Sequence, residues 1–344
     1  MTYSLAAKTS ATGSPRTRFS TPSKPRLRPN PRYRQRLRAV VLGAGTVNGG
    51  VLDKIGVLSE RIEIAAIVTR KSRQGHDPRQ AWLTDINAAF DTGPDVVIEA
   101  LPDCALAERA LKLAASRGCH IISANKAVLA RCPQLAGEAE RHGGSLRYSA
   151  AVAGGIPVLE TLTDLRKRGE VIAGIRGVLN GTSNYVLDQI ERGAEREAAV
   201  KAAQRAGFAE ADPSADIDGL DAAAKLVLIA RKAFDLELDV DTIGRIPLSA
   251  LHPGQAKAAS GNRLRYRQCA ELSRRNGRIK GRVDLQALAN TDELTKARNE
   301  ENIVVITCES GLRVQLHGKG AGRVPTADAM LTDIRDLIAC EIGA

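Results

Sequence analysis

RAVVLGAGTVNGGVLDKI, residues 38–55, runs from an apolar strand through a glycine turn into a helical pattern. Residues 39–42 are apolar throughout, Gly43 and Gly45 break the run, and Val51, Leu52 and Ile55 recur at helical spacing. A continuous apolar run suits a strand buried on both faces, and a tight turn into a helix leaves the helix's first N–H groups open to an anion. This is the order of a dinucleotide-binding unit, with Gly43, Gly45, Thr46 and Val47 at the pyrophosphate. Asn48 stands where the third glycine of the usual pattern lies and is expected to crowd helix against strand. Further apolar runs follow at 62–68, 95–101 and 120–125, with helical stretches between the last two. Such alternation predicts a doubly wound α/β fold, with a Rossmann domain over residues 39–148. The second run ends in Thr69, Arg70 and Lys71, with no acid for a ribose 2′-hydroxyl. Arg70 then serves either an exposed turn or a 2′-phosphate; the second reading expects NADP, with NAD also possible.

The second half holds the chemistry. GFAEADPSADIDGLDAAAKL, residues 207–226, places five carboxylates between Glu210 and Asp221 and then a lone Lys225. A calcium loop fails on spacing: with Gly219 as the fixed glycine, position 1 is Ser214 and position 12 is Lys225. Asp221 and Lys225 are four apart and share one helical face, as an ordinary exposed ion pair would. The helix that carries them is otherwise apolar, which points them into a cleft instead. There, carboxylates suit a cationic group, where at the surface they would simply be solvated, and a lysine suits proton transfer to an oxygen. Residues 302–318 read as a hairpin in a second, mostly antiparallel sheet with one helical face. A second domain that carries this chemistry is therefore expected over 149–316, followed by a C-terminal segment over 317–344.

Charge and cysteines bound the remaining classes. Of the net +11, ten positive charges lie in residues 1–38, which hold no acid, so +11 less ten leaves +1 for the rest. The excess belongs to a Pro-, Ser- and Arg-rich tail that lacks the apolar residues to fold and is expected to be disordered. It has no secretory core, and no stretch reads as a membrane span. A cytoplasmic protein is the expectation, or an organellar one if the tail is a transit peptide. Nucleic-acid binding through the tail would rest on charge alone, without interleaved aromatic residues. The six cysteines form no Cys-x-x-Cys pair and the five histidines are scattered, which argues against zinc.

SANKAVLA (123–130), which closes a strand at an expected sheet edge, is followed by SAAVAGGIPVLETL (149–162) and GVLNGTSNYVL (177–187). The acidic stretch and HGKGAGRVPTADAMLTD (317–333) come next. In this order and at these spacings the set resembles the homoserine dehydrogenase family, from roughly residue 39 to 340. The resemblance implies reversible reduction of L-aspartate 4-semialdehyde to L-homoserine with NAD(P)H, in threonine and methionine biosynthesis. It implies that Lys225 transfers the proton, Asp221 is its catalytic partner, and Lys126 lies between cofactor and substrate. Glu210 and Asp216 would hold the substrate's ammonium, and Thr182 would contact substrate. Gly320 and Gly322 would close over the nicotinamide end, and the carbonyls of Val152, Gly154 and Ile156 would bind a monovalent cation, sodium or potassium. It further implies that 149–316 is a catalytic and dimerisation domain pairing two copies in a homodimer, that 317–344 is a return segment with a C-terminal helix, and that no C-terminal regulatory domain follows. Two positions depart from the family pattern: Ser149 replaces a glutamate beside the cation, and ALPDCA (100–105) replaces a glycine-rich turn.

Two other readings stay open from sequence. One is a dehydrogenase for another amino-acid-derived aldehyde, differing in the 210–221 loop. The other is a catalytically weak relative that binds NADP as a sensor or scaffold.

Overall fold

The computed structural model describes residues 36–71, 80–275 and 278–342, so the basic tail lies outside the described residues except for its last three. Six parallel strands form the first sheet: β1 (Leu37–Leu42), β2 (Ile62–Val68), β3 (Ala81–Leu83), β4 (Val96–Glu99), β5 (His120–Ser123) and β6 (Leu146–Arg147). Their order is β3-β2-β1-β4-β5-β6, and every pairing is parallel. All residues of β4 and β5 are buried, as continuous apolar runs at the centre of a two-sided sheet require. The helices α1 (Thr46–Lys54), α2 (Ile86–Phe90), α3 (Cys104–Ser116), α4 (Lys126–Arg131) and α5 (Gln134–Arg141) connect these strands. SANKAVLA does not close the edge strand: β5 is one in from the edge, which the two-residue β6 occupies. A strand that short has no period to read.

The second sheet, in the order β12-β11-β7-β9-β10-β8, is mostly antiparallel. It comprises β7 (Ile172–Val178), β8 (Gly244–Arg245), β9 (Leu264–Arg275), β10 (Arg278–Ala289), β11 (Glu301–Cys308) and β12 (Arg313–Lys319), and only β8 joins in parallel. The expected hairpin is β11 with β12. Helices α6 (Val158–Lys167), α7 (Gly181–Glu191), α8 (Arg196–Arg205), α9 (Ser214–Ile217), α10 (Leu220–Phe234) and α11 (Pro253–Gly261) accompany this sheet. Residues 221–230 of α10 are all buried, the mark of a helix at the centre of a core. That core is continuous: Val40, Leu111 and Leu129 of the first layer join Leu162, Leu226 and Leu272 of the second.

The last helix, α12 (Arg323–Glu341), returns to the first sheet. Its Ala327, Met330, Leu331, Ile334, Leu337 and Ile338 recur at helical spacing and pack on Val41, Val51 and Ile55. Gly50 permits the close approach, since a Cβ there would lie 2.9 Å from that of Ala327. Asn48 does not crowd this packing. It is fully buried, and its amide donates to the carbonyls of Leu42 (2.9 Å) and Gly43 (2.8 Å), tying strand, turn and helix together.

Candidate active site

Gly43 takes φ +87°, and a Cβ there would meet the Ala100 carbonyl at 3.1 Å. The turn therefore needs a glycine on both counts. Gly45 is the N-cap of α1 and has open space around it, and no side chain caps the helix. The first-turn N–H groups of Thr46 and Val47 are thus available to a phosphate, and these residues fit a dinucleotide. At the end of β2, the Thr69 hydroxyl donates to the Lys71 carbonyl (2.7 Å), and Arg70 and Lys71 are exposed. Residues 72–79 beyond them lie outside the described residues.

Where the carboxyl ends of the first sheet face α10, a cleft of about 790 Å³ opens. Lys126, Thr182, Glu210, Asp216, Asp221, Lys225 and Gly322 all line it. Asp221 lies at its floor, 8% exposed, between two cations. Its Oδ2 is 2.7 Å from Lys225 Nζ and its Oδ1 is 3.0 Å from Lys126 Nζ. Burial would raise the Asp221 pKa, but Lys225 and then Lys126 outweigh it and hold the carboxyl well below the usual range. Asp221 in turn raises the Lys126 pKa, against the effect of burial. Lys225 is 7% exposed and also donates to the Leu179 carbonyl at 2.7 Å.

Asn180 closes the acidic side of the cleft. Its amide donates to Asp216 (2.6 Å) and to Asp221 (2.8 Å), while its Oδ1 accepts from Ser183 N (2.7 Å) as the N-cap of α7. Burial, above all, raises the Asp216 pKa, and the Asn180 bond works against it. Glu210 is exposed at the rim. The Thr182 hydroxyl is already engaged, donating to the Phe208 carbonyl at 2.6 Å. Asn302, buried in β11, shares the Leu179 carbonyl with Lys225 (2.9 Å) and lies under Gly320, where a Cβ would fall 1.9 Å from its amide nitrogen. Asn302 was not expected from sequence, and Asn180 only as a member of the Asn-Gly-Thr turn that carries Thr182, with no role of its own. Asn180 has a readable signal, an Asn directly before a helix start; Asn302 looks like any polar residue at a strand's beginning.

The segment from Val152 to Ile156 abuts the return segment: Gly155 N donates to the Lys319 carbonyl (3.2 Å), and Ala153 and Gly154 take φ +55° and +39°. The carbonyls of Val152 and Gly154 accept no hydrogen bond among the described residues, whereas that of Ile156 accepts from Val158 N (2.8 Å). Ser149 donates through both its backbone N–H and its hydroxyl to Asp333 on α12, each at 2.9 Å.

A Rossmann sheet whose carboxyl ends meet a lysine–aspartate cleft fits a dinucleotide-dependent oxidoreductase. Comparison with known proteins specifies which kind. The family profile described as "Homoserine dehydrogenase" matches residues 157–335, and "Homoserine dehydrogenase, NAD binding domain" matches residues 43–149. A homoserine dehydrogenase of a Synechocystis species is 33% identical over 324 residues, covering 87% of this chain and 72% of its own. An NAD(+)-dependent homoserine dehydrogenase of Pseudomonas canavaninivorans is 34% identical over 250 residues, 71% of each chain. The crystal structure of a homoserine dehydrogenase from Thiobacillus denitrificans superposes with a TM-score of 0.81 at 27% identity, covering 88% of this chain and 73% of that one. The chain belongs to the homoserine dehydrogenase family.

Proposed function

We propose that the protein catalyses the NADP-dependent, reversible reduction of L-aspartate 4-semialdehyde to L-homoserine. The observation that carries this reading is the Asp221 carboxylate fixed between Lys225 and Lys126 at the cleft floor. The nicotinamide cofactor supplies or accepts the hydride; Gly43, Gly45, Thr46, Val47 and the Gly320–Gly322 segment would hold it. Lys225 spends two of its three N–H donors on Asp221 and Leu179, which leaves the third for the aldehyde oxygen. In reduction it gives that oxygen a proton; in oxidation it takes the proton of the alcohol. One ionised Asp221 between two lysines leaves a net positive charge, which stabilises an alkoxide as it develops. Glu210 and Asp216 face the substrate's ammonium, with Thr182 in the wall beside them. Val152 and Gly154, with Ile156, would hold a monovalent cation through backbone oxygens. We further infer a homodimer.

The coenzyme assignment rests on Arg70 and Lys71, exposed at the end of β2, where residues 69–71 hold no acid. The test follows NADPH absorbance with aspartate semialdehyde, and NADP⁺ with homoserine. Turnover with a higher kcat/KM for NADP(H) than for NAD(H) is expected, and replacing Arg70 and Lys71 with glutamate should narrow or reverse the preference. No turnover of either substrate would reject the activity. Turnover that is faster with NAD would reject only the coenzyme assignment.

A further inference from the structure

Glu99 ends β4 on the floor of the sheet, fully buried, and no step described above uses it. No ion pair is found for it among the described residues, although burying a carboxylate without a cation is costly. Instead it accepts from three donors. Its Oε2 takes the Ser123 hydroxyl at 2.5 Å; its Oε1 takes Leu101 N at 2.7 Å and, more weakly, the Asn125 amide at 3.5 Å. The relay continues toward the cleft. Ser123 Oγ accepts from Asn125 N (3.0 Å), the Asn125 amide donates to the Leu101 carbonyl (3.1 Å), and Asn125 Oδ1 caps α4 by accepting from Val128 N (3.3 Å). The residue that begins α4 is Lys126. A carboxylate suits this place because every contact arrives as a donor. Glutamine has one acceptor oxygen where two are needed: its N–H₂ would face either the Leu101 N–H, itself a donor, or the Ser123 hydroxyl, whose proton would lose its acceptor.

We propose that Glu99 is a positioning residue for the reaction: through Ser123 and Asn125 it fixes the start of α4 and so the place of Lys126 against Asp221. The proposal rests on the reading of Lys126 as part of the active site. Networks of this kind act as units, and a reacting group displaced by about 1 Å can lose roughly 10²-fold in rate.

The test is a double-mutant cycle on the full chain, with Glu99→Gln, Lys126→Ala and the double variant, reading kcat and, separately, NADPH affinity by fluorescence titration. Glu99→Gln should lower kcat by roughly tenfold to a hundredfold and leave NADPH binding unchanged. In the Lys126→Ala background the same change should cost less than about twofold, the ordinary tolerance for independent sites. Loss by the same factor in both backgrounds, no loss at all, or a loss matched by weakened NADPH binding would each overturn the proposal. Lys126→Ala alone tests the reading beneath it: full activity there removes Lys126 from the mechanism. Should Glu99→Gln not fold, Ser123→Ala breaks the relay one step nearer the cleft and is judged by the same results.

Discussion

At Asp216, burial works against the charge that the proposed ammonium contact needs. Its raised pKa means that the carboxylate is lost at a higher pH than an exposed aspartate would be. The KM for homoserine should therefore rise on acidification, and Asp216→Asn should have a higher KM without that acid limb. An identical limb in the variant would assign it to another group. Asp221 behaves in the opposite sense, since its two lysines keep it ionised through the acid range. Asp333 presents a stability question. Burial, chiefly, lifts its pKa from 3.8 to about 6, although Ser149 donates to it twice. Between those values the folded chain holds more protons than the unfolded one, so this contribution to stability is greatest in acid and falls as pH rises through the window. Urea midpoints of wild type relative to Asp333→Asn should accordingly decline from about pH 4 to about pH 7. A difference that does not vary with pH would contradict the assignment.

The glycine turn shows what a local pattern can and cannot convey about an element. Strand, turn and helix were all legible in residues 38–55, because a two-sided strand must be apolar and the turn needs Gly43. The part played by Asn48 was not, because its value depends on where the carbonyls of Leu42 and Gly43 point after folding. The two accounts of Asn48 make opposite predictions. If it crowded the helix, Asn48→Gly would stabilise the protein. As a clamp holding two buried carbonyls, its loss should cost roughly 1–3 kcal/mol, read as a lower unfolding free energy in urea. An unchanged or raised value would restore the crowding account. β3 and β6, of three and two residues, escaped the sequence reading for want of any period. Glu99 was visible only as one acid at the end of an apolar strand, and its relay to Lys126 exists only once β4 and β5 are paired.

For the whole molecule, the site depends on parts far apart in the chain. Lys126 comes from α4, Asp221 and Lys225 from α10 and Asn302 from β11, elements that share one continuous core, while Gly322 comes from the return segment, whose helix packs on the other side of the first sheet. That the acids and lysines share one cleft was legible from their residue types and order. Of the asparagines beside them, Asn180 was legible only as a helix cap, and Asn302 was not legible, since any polar residue at a strand's start would have read the same. The central claim is that Lys225 moves the proton while the cofactor moves the hydride, and one measurement tests it most directly: kcat for homoserine oxidation in Lys225→Ala, alongside NADPH binding by fluorescence. The rate should fall by roughly 10²–10⁴-fold with NADPH affinity unchanged, and Lys225→Arg should not restore it, since arginine stays protonated. A Lys225→Ala enzyme that keeps most of its turnover and binds NADPH normally would contradict the account.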